Sequence, residues 1–137
     1  MTMDPEVLSR LPIELRNLVL SKRNVKDIVE DRELAKVGDS LLNLLNVLAK
    51  VSGYIPEESK VSNRMLRQVS QKAGLRMLLK KRLKRTEIGN AVEALVAYWY
   101  LRGRFSMQDF LEEIKETTGF DSALIELIRR LFEEEGW

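Results

Sequence analysis

Two carboxylates stand where apolar side chains are expected. Asp39 follows Gly38 and precedes the run Leu41-Leu42-Asn43-Leu44-Leu45-Asn46-Val47-Leu48. Glu93 lies inside Ala91-Val92-Glu93-Ala94-Leu95-Val96-Ala97. Helical spacing puts Asn43 and Asn46 on the face of Asp39, and Asn90 on the face of Glu93. A carboxylate on a buried helix is costly unless it is paired or binds a metal. Gly38, Gly89, Ala91, Ala94 and Ala97 are small enough to let two such helices approach closely. Two acids meeting across that contact suit a hard cation such as Mg²⁺ or Mn²⁺. An ion of this kind takes one or two protein carboxylates, several waters and phosphate oxygens. It activates water and stabilises in-line displacement at phosphorus. Spacing alone leaves a second reading open, in which Lys36, Arg102 or a backbone group satisfies either acid as a core residue.

Composition narrows the chemistry. The 137 residues include no Cys and no His. That removes disulfides, the usual zinc sites, thiolate nucleophiles and imidazole acid–base catalysis. The net charge of +2 conceals a division: Lys60 to Arg104 holds 12 Lys/Arg against 2 Asp/Glu, and the remainder holds 11 against 19. The densest stretch carries Lys72, Arg76, Lys80, Lys81, Arg82, Lys84 and Arg85 with no acid among them. Such asymmetry points to a polyanion on one face, or to an ordinary solvated helix surface. No signal peptide or membrane span is visible, so the cytoplasm is the expected compartment and no membrane partner is expected. Low Gln with abundant Lys, Arg and Glu fits a thermophile's protein.

The elements that position these residues read as helices throughout. The pattern predicts a helix from Pro12 to about Ser21, with Leu15, Leu18 and Val19 on its apolar face. It predicts another from Val25, capped by Asn24 and continuing, with room for a bend, to about Ser52. The stretch Leu41–Leu48 is apolar almost all round, which predicts a central helix with neighbours on most sides. Ser62 or Asn63 caps a helix ending near Gly74, and Leu75 to Leu83 forms a short one. Thr86 caps a second core helix reaching Gly103. Ser106 and Asp109 form a capping box, and Asp121 caps the last helix. The expectation is an all-α, compact multi-helix domain spanning residues 1–137, with six to seven helices around two apolar core helices.

Three segments in order resemble the catalytic domain of the ribonuclease III family. Arg32-Glu33-Leu34-Ala35-Lys36-Val37-Gly38-Asp39-Ser40-Leu41-Leu42 is similar to its first signature and keeps Gly-Asp-Ser-x-Leu. Val61-Ser62-Asn63-Arg64-Met65-Leu66, leading to Gly74-Leu75, is similar to a second segment. Gly89-Asn90-Ala91-Val92-Glu93-Ala94-Leu95 through Gly103 is similar to the third. The resemblance implies four acids, of which Asp39 and Glu93 are kept while Ala35 and Asn90 stand at the other two places. In this the chain looks like the short Mini-III members, which also lack a double-stranded-RNA-binding domain. The resemblance also implies a homodimer, with Lys36 at the position of an aromatic dimer contact.

Together these readings assign Asp39 and Glu93 as catalytic and metal-binding. Asn90 is a neutral oxygen donor to the metal, with Gly38 and Asn43 in support. The Lys72–Arg85 face tracks phosphates of structured or double-stranded RNA, which is read mostly by shape and backbone. The expected activity is Mg²⁺- or Mn²⁺-dependent endoribonuclease cleavage. If its ammonium reaches Asp39, Lys36 competes with the cation. Two other readings remain open: an inactive ribonuclease III-fold protein binding ribosomal or other structured RNA, and a helical protein–protein module.

Overall fold

A computed structural model describes residues 5–75 and 85–137. Among the described residues there are eight helices and no strand. They are α1 (Pro5–Ser9), α2 (Ile13–Leu20), α3 (Val25–Val29), α4 (Arg32–Val51), α5 (Asn63–Lys72), α6 (Arg85–Leu101), α7 (Met107–Glu116) and α8 (Phe120–Glu135). None is long and apolar enough to cross a membrane. The expected short helix over 75–83 falls almost wholly outside the described residues, and α1 was not expected from the sequence.

Local chemistry sets most helix starts. Asn24 accepts from the Asp27 N–H at 3.0 Å and opens α3. Ser62, rather than Asn63, accepts from the Met65 N–H at 3.1 Å and opens α5. Ser106 and Asp109 form the expected reciprocal capping box of α7. Three expectations need correction. The helix from Val25 does not run on to Ser52, because Asp31 accepts from the Leu34 N–H at 2.9 Å and starts α4 afresh. Burial pushes the Asp31 carboxyl up, but the Lys22 ammonium and the Leu34 N–H outweigh it and hold it below its ordinary value. Gly119, not Asp121, stands at the start of α8; Asp121 lies in the first turn, where its charge still suits the helix dipole. Thr86 lies within α6, which already includes Arg85.

α6 is the centre of the fold. Ala91 through Trp99 is buried without interruption, and α3, α4 and α5 pack around it. At its far end the Trp99 ring meets Phe132 edge-on at 5.5 Å and stacks on Trp137 at 6.0 Å. Trp99 Nε1 donates to Glu135 at 3.2 Å, and Arg102 pairs with the same carboxylate at 2.8 Å. Both ends of that ion pair are buried, and the Arg102 guanidinium lies 4.9 Å from the Tyr98 ring centre. These contacts fasten α8 to α6. α4 buries Leu34, Ala35, Gly38, Leu41, Leu42, Leu45, Asn46 and Ala49 on one side only. Leu44 is 45% exposed, Val47 52% and Val51 80%, so α4 is not covered all round as its composition suggested.

Candidate metal and nucleic-acid site

The site exists because α4 and α6 touch backbone to backbone. A Cβ on Gly38 would lie 1.9 Å from the Glu93 carbonyl oxygen and 2.8 Å from its Cα. Only glycine fits such a contact, so Gly38 supports the site sterically. The next residue along α4, Asp39, comes beside the Glu93 side chain, close enough for the Asp39 carboxyl to raise the Glu93 pKa. The two acids singled out by type therefore meet across the helix interface.

Their environments differ. Asp39 is exposed to solvent, whereas Glu93 is only 6% exposed. Burial, then the hydrogen bond to Asp39 and its negative charge, raises the Glu93 pKa from 4.5 to about 8. At neutral pH Glu93 thus keeps its proton and donates it to Asp39. Asn43 holds Asp39 from the other side: its Nδ2 donates to the Asp39 carboxylate at 3.1 Å and to the Asp39 carbonyl at 2.8 Å. Asn46, grouped with them by spacing, is instead buried and donates to the Ser59 hydroxyl at 3.2 Å.

The two cations that the sequence offered as partners for the pair are engaged elsewhere. Lys36 does not reach Asp39; it is exposed and pairs with Glu33 at 3.2 Å, an i,i+3 contact. Arg102 is held by Glu135. Among the described residues neither Asp39 nor Glu93 forms an ion pair. Two adjacent carboxyls with an open solvent side, and no ion-pair partner among the described residues, suit a hard divalent ion. There is no group of three or more Asp, Glu, His or Cys able to hold a metal among the described residues. Ala35, one turn before Asp39, is buried in the core, and Asn90, three residues before Glu93, is exposed.

Sequence reasoning missed one neighbour. Gly89 was expected to ease the approach of the two core helices, but its open side receives α5. A Cβ there would lie 2.9 Å from Asn63 Oδ1 and 3.6 Å from a Leu66 methyl. Gly89 is one turn before Glu93, so Asn63 packs on α6 one helical turn from that acid. No spacing rule within one helix signals a contact between two. Of the basic residues, Lys72 is exposed at the end of α5 and Arg85 opens α6. Arg76, Lys80, Lys81, Arg82 and Lys84 lie outside the described residues.

A ribonuclease III family model matches residues 32–132, a span that holds every element of this site. The chain belongs to the ribonuclease III family. No curated protein and no solved structure matches it. Gly38, Asp39 and Glu93 all lie within the span matched to the ribonuclease III family. The matched span begins with α4 and leaves α1, α2 and α3 outside it.

Proposed function

We propose that this protein is an endoribonuclease that hydrolyses phosphodiesters in structured or double-stranded RNA with Mg²⁺ or Mn²⁺. The observation that supports this reading is the Asp39–Glu93 pair, two carboxyls side by side across α4 and α6 with no ion-pair partner among the described residues. Asp39 and Glu93 would hold the ion, with the Asn90 amide oxygen as a further neutral donor. When bound there, a divalent cation supplies Lewis-acid stabilisation of the phosphate and lowers the pKa of water. To hold an ion Glu93 would have to be deprotonated, and Asn43, donating to the Asp39 carboxylate, would fix that group's orientation. The Lys72–Arg85 segment supplies phosphate contacts, chiefly electrostatic and indifferent to sequence.

Ala35 and Asn90 favour a second reading. With only two acids, one of them protonated, cation affinity is reduced, and the protein binds structured RNA without cutting it. Incubation with long duplex RNA and Mg²⁺ or Mn²⁺ separates the two. Cleavage that Asp39→Ala and Glu93→Ala each abolish supports the nuclease. Cleavage that survives both, or intact RNA with wild type, removes it.

We also propose a homodimer through α4. Leu44, Val47 and Val51 follow one another at i, i+3 and i+7 and are all well exposed, a stripe that self-association would cover. Lys36 extends the same helix surface, where its Glu33 pair keeps it in solvent.

A further inference from the structure

We propose that the solvent side of α5 is the surface along which one RNA strand enters the Asp39–Glu93 site; this rests on the RNA-directed reading above. The outward side chains of α5 are Asn63, Arg64, Arg67, Gln68, Gln71 and Lys72. Every one carries N–H donors, and none is acidic or apolar. Phosphate and sugar oxygens are the acceptors that such a face fits, with guanidinium groups making the strongest contacts.

Among the described residues, Arg64, Arg67 and Lys72 form no ion pair. Lys22, Lys36, Arg102, Arg104 and Arg129 all do. The charge on α5 is therefore available to a ligand. An acidic protein is a poorer fit, because stable protein interfaces centre on apolar or aromatic side chains and this face has none.

Position gives the face its direction. Leu66, Val69 and Ser70 are buried on the opposite side, where α5 packs on α6 and α8, so its outward side is fixed. Asn63, at the start, rests against Gly89, one turn from Glu93. Ten residues of helix extend about 15 Å from that point. They end at Lys72, where the basic run of the sequence begins. The amides near the carboxylates and the charges farther out make one continuous donor track.

The test measures duplex-RNA affinity against KCl concentration by fluorescence anisotropy, with Ca²⁺ replacing Mg²⁺. Four proteins are compared: wild type, Arg64→Gln/Arg67→Gln, Arg64→Lys/Arg67→Lys, and Arg23→Gln/Lys26→Gln. The last removes equal charge from exposed positions near α3. The Gln pair on α5 is expected to weaken binding about tenfold or more at low salt. It should also flatten the slope of log affinity against log salt by about 2. The Lys pair should restore most of that slope, and the Arg23/Lys26 pair should leave it nearly unchanged. Equal losses from both Gln pairs, or no loss from either, overturn the assignment. Wild type that binds but does not cut in Mg²⁺ removes only the hydrolytic reading and leaves this one. Wild type with no affinity for duplex RNA overturns both.

Discussion

The backbone of Gly38 rests on the carbonyl of Glu93, with room for a hydrogen and not for a methyl: a Cβ would stand 1.9 Å from that oxygen. This contact brings Asp39 beside the Glu93 carboxyl, so site geometry and core packing depend on the same residue. Gly38→Ala must push α4 away from α6, because the obstacle is backbone and cannot rotate aside. A loss of about 3 kcal/mol is expected, together with loss of RNA cleavage. Urea denaturation read beside a cleavage assay checks both.

Glu93 makes stability depend on pH in a defined direction. Its pKa is raised in the fold from 4.5 to about 8, so the folded state holds a proton that the unfolded state releases. The contribution is whole below about pH 4.5, declines as pH rises, and is gone above about pH 8. The metal-free protein should therefore be less stable at pH 8.5 than at pH 5.5, by roughly 2–4 kcal/mol. Glu93→Gln should remove that decline, as followed by denaturation at both pH values. Cation affinity should move the opposite way, rising with pH, because the ion displaces the same proton.

Asn43 acts on the site through Asp39. Its amide donates to both the carboxylate and the carbonyl of that residue. Asn43→Ala should lower cation affinity or kcat by about tenfold or more. Helix α4 should remain intact, since Asn43 is exposed and replacement by Ala favours helix. Cleavage kinetics set beside circular dichroism test the separation.

The Arg102–Glu135 pair supplies a contrast. It is buried, it also receives the Trp99 Nε1–H, and it lies at the opposite end of the central helix from Asn90. Glu135→Gln leaves the guanidinium uncompensated and should cost about 3 kcal/mol. Cation binding at 25 °C should be unchanged. Thermal melts and metal titration of one preparation decide it.

The apolar stripe on α4 predicts association. Val47→Lys places a charge in the middle of Leu44, Val47 and Val51. A dimer joined there should dissociate on this substitution, with no loss of helix content, in light scattering coupled to size exclusion. A wild-type monomer at micromolar concentration contradicts the proposed homodimer.

Much of this was legible in the residues themselves. Ser106 with Asp109, and Asn24 before Val25, are local patterns whose hydrogen bonds are made within four residues. The all-round apolar run of α6 identified the centre of the fold, and Glu93 was conspicuous because a carboxylate is costly in a core; Asp39, read in the same way, is exposed. Two features depend on contacts between elements: Leu44 and Val47 are apolar yet uncovered, and Asn63 meets Gly89 from another helix. Asp31 is a local cap, hidden because it interrupts a pattern that hydropathy reads as continuous. Lys36 shows the same limit: helical spacing allows it either Glu33 or Asp39, and the folded side chain takes Glu33.

The carboxylate pair as a cation site is tested most directly by Mn²⁺ binding to the purified protein, followed by electron paramagnetic resonance at pH 8. Wild type should take up Mn²⁺ saturably, and Asp39→Asn or Glu93→Gln should each abolish that uptake. Mn²⁺ uptake left intact in both variants, or absent from wild type, contradicts the site.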